Sequence, residues 1–393
     1  MNRKNVAANA HALPSAYAGV VDAATHEKSA RYTLAKTRLE QVEIIWDLLI
    51  LLIVLASGLL PRWWEWHASQ FGGTVWASAA FLIVIGTALA LPGLPLDWWG
   101  QFRLEERFGF NTTTQRTWWL DRIKGLVLMW LIGWPLLALL LKWVDWAGGA
   151  WWIYAWGTMI VFQIVMMALA PTLILPLFNK FSPLPQGALR DRLLALGEKT
   201  GFSAREILVM DGSKRSRHSN ALFTGFGRFR KIVLFDTLID QLGVAELEAV
   251  LAHEIGHYKR KHIPKLMVVS MLSTFLAFAA VAWLAEQRWF YEAFGFNSPH
   301  LAIAFLLFAV ASNAVTFWAG PLMNVWSRKY EYEADAYARD AVGSPEPLQH
   351  ALRKLTRDNL SNLTPHPLYS WFYYSHPTLL EREAALLSPR TSS

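Results

Sequence analysis

The stretch Leu301–Met323, LAIAFLLFAVASNAVTFWAGPLM, carries no Asp, Glu, Lys or Arg. As a helix rising about 1.5 Å per residue it is long enough to cross roughly 30 Å of hydrocarbon. Five other runs are of spanning length, the first with one charged residue, Asp47, and the rest with none: Ile44–Leu60, Thr74–Pro92, Gly125–Leu141, Trp151–Leu177 and Leu266–Ala285. Tryptophans crowd their ends, at Trp63, Trp64 and Trp66, Trp98 and Trp99, Trp118 and Trp119, and Trp143 and Trp146. Indole rings favour the headgroup region, so these clusters read as interfacial belts. Composition agrees: 54% of the 393 residues are hydrophobic and 17% charged, against about 25% charged in an ordinary soluble domain. The reading is a mainly α, polytopic membrane protein with about six transmembrane helices.

The formal charge of +7 could suggest nucleic acid as a partner. The positions of the cations argue otherwise. They gather in the N-terminal segment (Arg3, Lys4, Lys28, Arg31, Lys36, Arg38), between spans two and three (Arg103, Arg107, Arg116, Arg122, Lys124), and after spans four and six. The other connections carry one each: Arg62, Lys142 and Arg288. This alternation places both termini in the cytoplasm and the lipids of the bilayer, with no nucleic acid, around the chain. No secretory leader is visible in the first 40 residues, which read as a polar segment with some helix over 29–41. The chain divides into that segment (1–43), four spans (44–178), a hydrophilic α+β segment (179–263), two spans (264–323) and a helical C-terminal part (324–393). Ile207–Val209 and Ile232–Phe235 read as strands, with a turn at Gly225 and Gly227 between them, and Ala245–Tyr258 as a helix.

The absence of Cys excludes disulfides, thiolate catalysis and Cys-ligated metals, so any metal rests on His and carboxylates. His253-Glu254-Ile255-Gly256-His257 supplies such a set. On a helix the two histidines lie one turn apart on one face and can bind one Zn²⁺, with Glu254 beside it as a base for the attacking water. A catalytic zinc needs a third protein ligand. Glu331-Tyr332-Glu333-Ala334-Asp335 lies just beyond span six, and spans five and six form a hairpin that returns it to the face of the histidines. Glu331 and Asp335, again one turn apart, suit a ligand and an acceptor for a ligand imidazole N–H. Glu333 points elsewhere and reads as solvent-facing. Either pattern alone also occurs on solvated helices; their pairing through the topology makes the case. His262, His67 and His300 read as interfacial, and Lys214, Arg215 and Arg217 as a solvated basic loop.

From about Ser29 to Leu387 the chain resembles the zinc-dependent CAAX prenyl proteases, integral-membrane metalloendopeptidases. The motifs that carry the resemblance are Glu105-Glu106-Arg107-Phe108-Gly109-Phe110-Asn111, Pro176–Phe181, Gly212–Ser216 running on to His218-Ser219-Asn220-Ala221, Ile232–Leu238, the HEIGH run, Ser327-Arg328 to Asp335, and Ser375-His376-Pro377. The resemblance implies a helical barrel enclosing a chamber, with a small α+β zinc-metalloprotease domain at its cytoplasmic end. It implies one Zn²⁺ per chain held by His253, His257 and Glu331, with Glu254 catalytic and Asp335 behind a ligand. It places His376 at the oxyanion, where an imidazole N–H acts electrostatically, and Asn220 and Arg382 near the substrate. The region from Asn220 to Gly227 would clamp an extended peptide along a strand edge.

The substrate implied is a peptide or protein, isoprenylated at its C-terminal Cys if the family's activity carries over. Two rivals share these residues: a general membrane-protein quality-control protease, and a catalytically silent membrane scaffold, against which the intact ligand set argues. The resemblance departs in two places. Well-known eukaryotic members have seven crossings, so the barrel here closes differently or has a gap. They also insert a polar stretch before the HEXXH helix; its lack between Asp236 and His253 is compatible with a bacterial relative in an inner membrane. Oligomeric state is not legible.

Overall fold

The computed structural model describes residues 1–202, 206–224 and 231–388. Helix α1, Ala23–Ala56, is started by the Asp22 carboxylate, which accepts the Thr25 N–H at 2.7 Å. It bends by 59° into α2, Leu59–Phe71, at Gly58, whose φ of 68° suits a residue without Cβ. Helix α3, Val75–Ala90, is capped by Thr74 and continues through short turns to Phe108. The next helical stretch, 64 residues from Gln115 to Phe178, is far too long for one crossing. It holds α4 (Gln115–Leu128), α5 (Trp134–Ala147) and α6 (Trp151–Leu169), and it doubles back at Gly148, φ 51°. The hairpin is held by Trp143, which stacks on Tyr154 and donates to Thr158 Oγ1 at 2.9 Å.

The hydrophilic segment folds as a sheet with flanking helices. Its strands β1 (Phe181–Pro183), β2 (Glu206–Met210), β3 (Ala221–Thr224) and β4 (Lys231–Phe235) lie in the order β1-β2-β4-β3. β2 and β4, the two strands expected, pair in parallel with Ile207 opposite Ile232; the short edge strands β1 and β3 were not anticipated. Gly225 and Gly227 lie outside the described residues. Around the sheet pack α7 (Ala188–Lys199) and α8 (Val244–Lys259), which carries HEIGH. Helix α9, His262–Ala285, then crosses away, and α10, Leu301–Val342, returns. Helices α11 (Glu346–Asp358) and α12 (Leu379–Leu387) close the C-terminal part.

Helix α10 decides the geometry. His300 accepts the Ala302 N–H at its start, and Gly343, φ 91°, ends it. Its 42 residues extend about 63 Å, roughly twice the hydrocarbon thickness. The apolar half spans, and the remainder carries Glu331 and Asp335 out to α8.

Two cores sit at opposite ends of the molecule. One joins the sheet, α7, α8, α11 and α12 through Leu196, Phe202, Ile232, Leu247, Ile255 and Leu348. The other, remote from the sheet, joins the span ends through Trp64, Phe81, Trp151, Phe290, Tyr291 and Ile303. Between them the helices bury little: only 6% of the most apolar window in Gln115–Phe178 is buried. Sparse burial along the walls between two packed ends fits a chambered barrel. The ring closes without a seventh segment, since α3 packs on α5, α5 on α6, α6 on α9, α9 on α10, and α10 back on α3. Helix α1 lies beside it, and a cavity of about 660 Å³ opens between Asp47, Ile50, Leu82, Leu89, Leu306 and Asn313.

The first 43 residues are docked, not trailing. Tyr17 is buried in the core of the soluble domain, and Asn2 Oδ1 accepts the His366 N–H at 3.0 Å. Of the tryptophans expected at the interfaces, Trp66, Trp99, Trp119 and Trp146 are exposed, whereas Trp64 and Trp118 are packed inward.

The most extensive helix contact is between α8 and α10, and it is tightest at Gly256. A Cβ there would lie 3.0 Å from Ala334 Cα and 3.1 Å from Tyr337 Cβ. Gly256→Ala is therefore expected to cost about 1–3 kcal/mol by overpacking, read as a lower thermal unfolding midpoint in detergent. An unchanged midpoint would show that the two helices are free to separate.

Candidate active site

Helix α8 places His253 and His257 on one face. Their Nε2 atoms lie 3.2 Å apart. Glu331, on α10, brings Oε1 to 3.3 Å from His257 Nε2 and Oε2 to 3.6 Å from His253 Nε2. Glu331 is buried, and its Oε2 has no hydrogen-bond partner. A buried carboxylate oxygen without a hydrogen bond is costly; here the carboxylate faces two imidazole nitrogens, with ligand atoms all within 4.8 Å of one another. Two nitrogens and a carboxylate fit a metal such as zinc, so these residues could hold one.

Behind the cluster stands a second layer. Asp335 Oδ1 is 2.8 Å from His253 Nδ1, and Asp335 is itself held by a two-pronged Arg382, with Nε at 2.8 Å and Nη2 at 2.5 Å. The proton on His253 Nδ1 thus goes to Asp335, leaving the Nε2 lone pair free toward the cluster. Arg382, expected near the substrate, keeps its side chain only 11% exposed, with its fork on Asp335 and its Nη1 3.5 Å from Glu331 Oε2.

Glu254 is half-buried next to the histidines. Burial pushes its carboxyl above the ordinary value, opposed by the charges of His253 and His257. For His257, burial works against the protonated form, but the hydrogen bond and charge of Glu331 outweigh it and raise the pKa. A metal must displace that proton, so uptake weakens as pH falls.

His376 stands at the exposed rim, Nε2 3.4 Å from Glu331 Oε1. The Ser375 hydroxyl lies 3.0 Å from its Nδ1; where that hydroxyl donates, the ring hydrogen is on Nε2, the nitrogen directed at the cluster. Asn220 is exposed just before β3, and its carbonyl accepts the Phe235 N–H. β3 is an edge strand and packs near α8.

Three expectations are overturned. His262 is not interfacial but buried, its Nδ1 2.9 Å from His257 Nδ1. Glu333 is only partly turned to solvent, 30% exposed; its Oε2 lies 3.0 Å from His262 Nε2. Spacing along one helix hides both, because His262 belongs to the next helix. Arg215 is no solvated cation: it pairs with Asp121 at 2.8 Å and donates to Asn179 Oδ1 and the Phe178 carbonyl, joining the spans to the soluble domain. Glu105 and His218, from two of the quoted motifs, make a second joint: Tyr32 donates to Glu105 at 2.7 Å, and His218 sits 3.4 Å from Glu105 and stacks on Phe110.

A HEXXH helix, a returning glutamate and a chambered helical barrel define a membrane-embedded metalloendopeptidase. Comparison with known proteins agrees. Residues 2–180 match the family model described as CAAX prenyl protease N-terminal, five membrane helices, and residues 183–390 match peptidase family M48. CAAX prenyl protease 1 of Saccharomyces cerevisiae is 37% identical, covering 95% of this chain and 88% of the relative; the human homolog is 31% identical with the same coverage. The crystal structure of S. mikatae Ste24p superposes with a TM-score of 0.91 at 36% identity, covering 98% of this chain and 93% of that one. The chain belongs to the CAAX prenyl protease family of M48 membrane metallopeptidases. These relatives are eukaryotic and give no support to a bacterial source.

Arg382→Leu would leave Asp335 buried with one partner fewer. The expected cost is about 3–5 kcal/mol, seen as a large fall in the unfolding midpoint; a fall no larger than that of an exposed control such as Arg357→Leu would show that Asp335 does not depend on it.

Proposed function

We propose that the protein is a zinc endopeptidase that cleaves near the C-terminus of CAAX-type, isoprenylated peptides or proteins. The observation that carries this reading is the convergence of His253, His257 and Glu331 from two separate helices beside Glu254, with the edge strand β3 packed near α8. The names of the relatives supply the substrate class. His253, His257 and Glu331 would hold one Zn²⁺, which when bound supplies Lewis acidity toward the scissile carbonyl and the attacking water.

The remaining steps belong to the chain's own groups. The extended peptide pairs with the edge of β3, beginning at Asn220. Glu254, its pKa raised by burial, takes a proton from water as the oxygen attacks the carbonyl carbon, and passes it to the leaving amine as the C–N bond breaks. His376 donates Nε2–H to the developing oxyanion. Arg382 acts on Asp335, and through it on the ring of His253, instead of on the substrate. The cation distribution supports a cytoplasmic position for the termini and this site. The cavity lined by Ile50, Leu82, Leu89 and Leu306 offers apolar walls to an isoprenyl chain on a substrate drawn from the membrane.

Glu254→Gln is expected to lower peptide cleavage by about 10²–10⁴-fold while metal analysis still finds one zinc per chain. Full cleavage by that variant would overturn the assignment. A farnesylated CAAX peptide is expected to be cut with a higher kcat/KM than its unprenylated twin; equal values would favour a general membrane-protein protease.

A further inference from the structure

We propose that His262 and Glu333 are positioning residues for the metal centre: Glu333 sets the tautomer of His262, and His262 in turn fixes His257 with its Nε2 lone pair facing the cluster. The proposal rests on the zinc reading above. Lys261, between α8 and α9, takes a left-handed conformation, φ 56°. That turn brings the His262 ring back beneath His257, where it is buried and stacks on Tyr330 with centroids 4.1 Å apart and planes 12° apart.

The hydrogen positions follow by elimination. If His257 presents the Nε2 lone pair to a metal, its proton is on Nδ1. That atom lies 2.9 Å from His262 Nδ1. Two ring nitrogens so close cannot both carry hydrogen, so His262 Nδ1 is the bare acceptor. The proton of His262 is then on Nε2, which is 3.0 Å from Glu333 Oε2. Glu333 is kept beside it by Lys329, 3.9 Å away. The result is a chain from Glu333 through His262 to His257. It parallels the direct bond from Asp335 to His253, with one imidazole inserted because Glu333 is two residues from Glu331 and on another side of α10. The segment 330–335 thereby serves both histidines: Glu331 faces them, Asp335 holds one ring, and Glu333 holds the other through His262.

The test measures zinc affinity of the full-length protein in detergent by competition with a chromophoric chelator. His262→Phe keeps the ring volume and the stacking on Tyr330 but removes the acceptor; zinc affinity is expected to fall by about 10–100-fold. His262→Asn restores an acceptor toward His257 and is expected to recover most of that loss. Glu333→Leu should weaken zinc several-fold, with Glu333→Gln, which still accepts from His262, close to wild type. Wild-type affinity in His262→Phe, or equal losses in the Phe and Asn variants, would overturn the proposal. Should His262→Phe fail to fold, the Glu333 pair decides, and equal affinities there would overturn it. Wild-type protein that binds no zinc would instead sink the zinc reading, and this proposal with it.

Discussion

The close approach of α8 and α10 is the constraint on which the rest depends. A metal centre of this kind needs donors from two helices within a few ångströms of one point, and only a glycine at 256 lets the backbone of Ala334 come so near. On either side of that contact sit the histidines of one helix and the acids of the other. Because both helices continue into other parts of the fold, α10 into the barrel wall and α8 into the core of the soluble domain, the centre is rigidly referenced to both.

The same arrangement explains how a helical barrel can be hollow. Apolar burial is concentrated in two caps, one of aromatic span ends and one around the sheet, so the intervening walls need not pack across the middle. Helices in lipid satisfy their own backbone hydrogen bonds and tolerate this. The joint between barrel and soluble domain is made instead by partly buried polar links, Arg215 with Asp121, and Glu105 with Tyr32 and His218. Such links add little net stability but are costly to mispair, which favours one docking geometry.

Much of this was legible in the residues alone. Spans, strands and the HEXXH helix are local patterns, set by hydropathy and by a 3.6-residue period. Glu331 and Asp335 were found by one non-local inference, that two consecutive spans return the chain to the same face. The same inference stopped short at Glu333 and His262. Glu333 has the wrong spacing to share a face with Glu331, and His262 lies past the end of α8, so no helical period connects either to the histidines. Arg215, alone of the basic loop, was misread for a related reason: a cation in a polar stretch looks solvated until its acidic partner, here on another span, is located.

The sequence by itself determined that the chain crosses a membrane several times and carries a two-histidine, one-glutamate set that can bind a metal, since both follow from hydrophobic length and from side chains one helical turn apart. The tertiary structure decided which way each imidazole is held, where Arg382 is used, and how the barrel closes with α10 against α3. Those outcomes depend on the angles and turns between helices, at Gly148, Lys261 and Gly256, where a few degrees of backbone rotation move a side chain by ångströms and leave no periodic trace in the residue order.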